Sequence, residues 1–73
     1  MGNPTAQRLR RYVVRVDFLS DGDRYARETY TLDAANLKTA RAEGLLRSEG
    51  SVYDDPRIPD FGRIVSAECA RAL

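Results

Sequence analysis

With 73 residues, twelve basic against eleven acidic side chains and a formal charge of +1, the chain holds one domain near the lower limit for a self-sufficient core. A lone cysteine excludes an internal disulfide, and the lack of histidine leaves no tetrahedral zinc set and no ordinary neutral-pH proton shuttle. No apolar run approaches the ~20 residues of a membrane span, and Met1 to Arg8 lacks the apolar stretch of a secretory leader, so a cytoplasmic location is expected.

Residues 1–10 are polar, contain Pro4 and read as a flexible arm ahead of a single domain over 11–73. The arm is basic: Arg8, Arg10 and Arg11, with Arg15 just beyond, stand in a stretch without an acid. All basic residues but Lys38 are arginine, a bias that alanine- and arginine-rich codon usage accounts for.

The first predicted strand covers residues 11–19. Its even positions, Tyr12, Val14, Val16 and Phe18, form one apolar row, whereas Val13, Arg15, Asp17 and Leu19 are mixed and belong on a wetter face. Asp21-Gly22 supplies the turn chemistry of a hairpin, and a second strand follows over 24–32. Two registers compete. A three-residue connection opposes Phe18 to Ala26, Val14 to Tyr30, Asp17 to Arg27 and Leu19 to Tyr25; a two-residue turn opposes Val16 to Arg27. The first segregates apolar from polar side chains better but leaves Glu28 in the apolar row.

Asp33 is the expected N-cap of a helix over Ala34–Ser48. Ala34, Leu37, Ala40, Gly44 and Leu45 share one side of it, and Ala35, Ala42 and Leu46 form a narrower second stripe. Residues 51–62 form a long connection with Pro56 and Pro59, carrying Val52, Tyr53, Ile58 and Phe61 over one end of the core. A third strand is expected over Arg63–Cys69, with 67–73 compatible with either strand or helix, and Cys69 reads as a small buried core residue. The fold class is therefore α+β: β-β-α-β, an antiparallel or mixed three-stranded sheet in the order 2-1-3, with one helix covering one face and the other face open.

Catalytic chemistry has little to work with. The serines and Cys69 have no base at a recognisable spacing, Asp21 and Asp23 are turn residues without the downstream glutamate of a calcium loop, and Asp54, Asp55 and Asp60 read as a solvated acidic loop. No catalytic residue, metal or cofactor is expected. Two binding sets remain. Arg15, Tyr25 and Arg27 on the open face, with Arg8, Arg10 and Arg11 on the arm, suit phosphates and unpaired bases. Leu46, Tyr53, Ile58 and Phe61 suit a protein partner, and self-association is a further candidate at this chain length.

In layout, Tyr12-x-Val14-x-Val16-x-Phe18, Asp21-Gly22 and the alanine-spaced segment from Ala34 to Leu46 resemble small uncharacterised prophage-encoded proteins, over most of residues 11–70. That resemblance implies a non-catalytic interaction module with a host or phage protein as partner. A fainter likeness to the three-stranded DNA-binding arms of phage integrases departs in strand order, since those place a third strand before the helix. Neither comparison transfers a functional residue.

Overall fold

The computed structural model describes residues 8–70, folded as β1 (Arg10–Ser20), β2 (Asp23–Ala34), α1 (Leu37–Ser48) and β3 (Phe61–Cys69). The sheet is antiparallel throughout, in the order β2-β1-β3, with α1 on one face, so the α+β class and the 2-1-3 order are as the residue pattern implies. The arm expected over 1–10 lies mostly outside the described residues, although Arg10 already opens β1. The same is true of the end: β3 runs as strand to Cys69, and 71–73 are outside the described residues.

The even row of β1 is the core. Val14, Val16 and Phe18 are fully buried and Tyr12 nearly so, joined by Leu32, Ala34 and Ala40. Phe18 alone removes enough apolar surface from water to contribute about 2–3 kcal/mol. The hairpin resolves the competing registers by using both. Asp21 and Gly22 have φ of 53° and 83°, the two positive values a tight two-residue turn needs, and Ser20 opposes Asp23. A shift between Phe18 and Leu19 then inserts Tyr25 as an extra residue, restoring Phe18 opposite Ala26 and Asp17 opposite Arg27. Leu19 consequently faces Arg24, not Tyr25.

The helix starts later than the spacing suggests. Asp33 and Ala34 continue β2, because Asp33 lies opposite Arg11 and Ala34 is buried opposite Arg10. Asn36 is the cap, its Oδ1 accepting from the Thr39 N–H at 2.8 Å. The buried stripe is Ala40, Gly44 and Ser48, spaced by four. Gly44 has a specific reason to lack a side chain: a Cβ there lies 2.3 Å from Cγ1 of Val14. Ser48 is buried because its hydroxyl donates to the Leu45 carbonyl at 2.6 Å, which satisfies the polar group inside the stripe. Leu37, by contrast, is exposed. Cys69 is also exposed, correcting the expectation of a buried thiol: it lies opposite Tyr12 near the free end of the edge strand β3.

Connections alternate between two ends. The hairpin turn and the 49–60 connection form one end, the tip; the β2–α1 link and the start of β1 form the other, the base. Ten residue steps of β1 separate them, roughly 33 Å at strand rise.

Candidate functional site

The tip is organised around Phe18. Its ring lies 6.4 Å from Tyr25, 6.0 Å from Tyr53 and 6.3 Å from Phe61, centroid to centroid. The bulge directs Tyr25 into this cluster, and its hydroxyl donates to the Tyr53 carbonyl at 2.6 Å. Partial burial raises the Tyr25 phenol above its ordinary pKa, and the nearby charges of Asp55 and Asp54 push it further the same way. Both tyrosines nonetheless keep about two-fifths of their surface in solvent, at 40% and 42%.

The loop that carries Tyr53 is tied to the sheet by Glu28, the carboxylate that fits its apolar row so poorly. Ser51 Oγ donates to Glu28 Oε2 at 2.7 Å and accepts from the Tyr53 N–H at 3.1 Å. Glu28 sits on the edge strand β2, half-buried, where the loop can reach it. Further anchors follow: Ser20 Oγ donates to the Pro59 carbonyl at 2.8 Å, and Arg57 folds onto Asp55, whose carboxyl is held below its ordinary pKa by the guanidinium and by the Arg57 N–H. The loop therefore presents Tyr53 from a fixed frame.

Of the residues expected to meet a protein, Tyr53 and Phe61 belong to this cluster, Phe61 half-buried beneath it with Arg63 over its ring at 5.5 Å. Ile58 is half-buried in the same loop. Leu46 stands alone on the outer side of α1, 60% exposed. Val52, expected with the loop's other apolar groups over one end of the core, is instead 86% exposed beside Tyr53 and adds an apolar group at the tip outside the set expected to meet a partner.

The expected nucleic-acid set is divided by the fold. Arg15 and Arg27 do share the open sheet face with Arg11, while Tyr25 has turned away to the tip cluster. Each open-face arginine holds a carboxylate: Arg11 with Asp33 at 3.1 Å, Arg15 with Glu68 at 3.4 Å, and Arg27 with Asp17 at 2.6 Å. Arg24 approaches the same Asp17 at 3.8 Å. The Arg27 fork holds the Asp17 carboxyl below its ordinary pKa against the opposing effect of partial burial. Such pairs add little stability at the surface, but they neutralise the face.

Apart from Glu28, which lies midway along β2 and is bonded to Ser51, the charges without an ion pair among the described residues are sorted by position. Arg8, Arg10, Lys38 and Arg41 form no ion pair among the described residues, and all lie toward the base. Asp21, Asp23, Glu49 and Asp60, equally without ion pairs among the described residues, lie at the tip. Among the described residues no group of three or more His, Cys, Asp or Glu side chains could hold a metal ion, and no helix is long and apolar enough to cross a membrane.

Comparison with protein-family models, curated proteins and solved structures yields no match to this chain. The class that fold and surface define is a small α+β module with a hydrogen-bonded, partly exposed aromatic tip.

Proposed function

We propose that this chain is a non-catalytic interaction module of phage or prophage type, acting in the cytoplasm, that grips a protein partner with its tip. One observation supports the reading: Tyr25 and Tyr53, joined by the bond from the Tyr25 hydroxyl to the Tyr53 carbonyl and packed at a tilt against buried Phe18, still expose about two-fifths of their surface. A tyrosine whose hydroxyl is already bonded, as that of Tyr25 is, binds with little further loss of side-chain entropy, and aromatic anchors of this kind are enriched at interface hot spots. Val52 extends the apolar contact, and the acids at the same end that form no ion pair among the described residues favour a partner segment that is apolar with basic flanks. A photo-crosslinking amino acid at position 53, compared with one at Thr29 on the open face, tests this in the native host. A discrete protein adduct at 53 that Val52→Asp abolishes supports the tip; adducts of equal yield at both positions, or none, reject it.

A second reading, nucleic-acid binding, is favoured by the four cations near the base that form no ion pair among the described residues, Arg8 and Arg10 among them. With Arg11, Arg15 and Arg27 already holding carboxylates, it rests on the base more than on the sheet face. Titration with single- and double-stranded DNA and RNA at low salt decides it, because phosphate contacts are strongest there. No saturable binding under those conditions eliminates it.

A further inference from the structure

The two edges of the sheet are not equivalent. The β2 edge is guarded by the bulge at Tyr25 and by Arg24, Arg27, Glu28 and Asp33, devices that discourage pairing with another strand. β3 carries none of the stronger ones: its nine residues follow β1 in unbroken register from Phe61 opposite Ser20 to Cys69 opposite Tyr12, without bulge or proline. Between Arg63 and Glu68 runs the uncharged segment Ile64-Val65-Ser66-Ala67, and Ile64 is 55% exposed.

The direction of the free backbone groups follows from one bond. Ala70 N–H donates to the Arg11 carbonyl at 2.9 Å, so the alternation of an antiparallel ladder aims Gly62, Ile64, Ser66 and Glu68 inward at β1. The N–H and C=O groups of Phe61, Arg63, Val65, Ala67 and Cys69 therefore point outward along an edge that no other strand pairs among the described residues.

We propose that this edge pairs antiparallel with the β3 edge of a second copy, about a two-fold axis through Val65 normal to the sheet. This register is the one that overlaps the whole strand: Val65 meets Val65 of the copy, Arg63 meets Ala67, and Phe61 meets Cys69. Every outward residue then faces an outward residue, which closes about ten backbone hydrogen bonds in a continuous six-stranded sheet.

The helices support the same operator. The cleft of about 360 Å³ lined by Leu45, Glu49, Phe61, Gly62 and Arg63 identifies the flank of α1 that looks toward β3. At helical spacing that flank continues through Ala42 to Lys38, with Arg41 beside it. The two-fold sets the flanks antiparallel, bringing the Lys38 and Arg41 end of each helix toward the Glu49 end of the other. α1 packs over all three strands, so the helix axes stand three strand spacings apart, about 14 Å, within reach of long charged side chains. The partner is thus chosen by self-complementary charge as well as by an open ladder. This pairing uses the strand edge and stands apart from the tyrosine tip.

Light scattering on the full chain after size exclusion is the test, with a mass twice the 8.2 kDa of one chain expected at high micromolar concentration. Val65→Pro removes an outward N–H without touching the ladder to β1 and is expected to return the monomer mass with an unchanged circular dichroism spectrum. A second variant covers the case in which that proline disturbs the fold. Val65→Cys in a Cys69→Ser background places two thiols across a narrow antiparallel pair, about 5.5 Å between Cα atoms and within disulfide range. It is expected to form disulfide-linked dimer under mild oxidation at least tenfold faster than Thr29→Cys in the same background. A folded monomer at millimolar concentration, a dimer that persists in folded Val65→Pro, or equal cross-linking rates at positions 65 and 29 overturns the proposal.

Discussion

Replacing Gly44 by alanine sets two effects against each other, and the structure decides between them. Helix propensity alone favours the change by about 1 kcal/mol, since glycine loses more backbone freedom on folding. The new Cβ, however, lies 2.3 Å from Val14 Cγ1 and 2.9 Å from Val14 Cβ. Unstrained carbon contacts begin near ~3.5 Å, so the closer gap is short by about 1.2 Å. Val14 cannot yield, being fully buried on the central strand. α1 must lift instead, loosening Ala40 and Ser48 on the same stripe. Overpacking of this kind costs about 1–3 kcal/mol, and a contact this close belongs at the upper end. The expected net loss is about 2 kcal/mol, or a fall in Tm of roughly 10 °C for a domain of this size. Thermal and urea unfolding followed by circular dichroism measure it. In a Val14→Ala background the penalty is expected to shrink by at least about 1 kcal/mol, because the methyl groups in the way are gone. A Gly44→Ala variant as stable as the parent, or more so, refutes the close approach of helix to sheet.

Other outcomes follow from local geometry. Asn36→Ala is expected to destabilise the fold by about 1 kcal/mol through loss of the cap, while Asp33→Ala has a smaller effect and leaves helix content unchanged; the reverse order by urea titration restores Asp33 as the cap. Ser51→Ala removes both bonds of the Glu28–Ser51–Tyr53 link and is expected to cost about 1 kcal/mol and speed amide exchange at Tyr53, with an unaltered exchange rate speaking against the link. Asp17 has its folded pKa depressed below 3.8, so its contribution is complete above the unfolded value and is lost as pH falls through the lower folded one. Urea unfolding between about pH 5 and pH 2 should therefore show a shallower acid loss for Asp17→Asn than for the parent, and identical slopes reject the Arg27 pairing as its cause.

The strands were legible because a period of two is hard to imitate: the row Tyr12, Val14, Val16 and Phe18 can be buried only one way, and it is the row that lies under α1. The bulge is not legible, since a two-residue turn and a three-residue offset each satisfy part of the pattern, and the folded chain joins them by the shift at Phe18 and Leu19. For the same reason the pattern puts Tyr25 on the open face, whereas the bulge turns it into the tip cluster. The helix start was displaced because Asp33 and Asn36 are both good caps, and a strand partner for Asp33 in Arg11 is invisible to local propensity. Glu28 stands out as a misfit in its apolar row, but its partner Ser51 is 23 residues away and has no periodic signature. Ser48 reads as polar until its hydroxyl is seen to bond one turn back.

Among the described residues, the sorting of charge without ion pairs between base and tip gives the fold an electrical axis along its strands. Near a polyanion the torque on that axis turns the arginine-bearing end inward before any contact forms, and it weakens as salt shortens the range of the field. A chain so oriented meets a negatively charged surface with Arg8 and Arg10 foremost and displays Tyr25 and Tyr53 to whatever approaches from the opposite side.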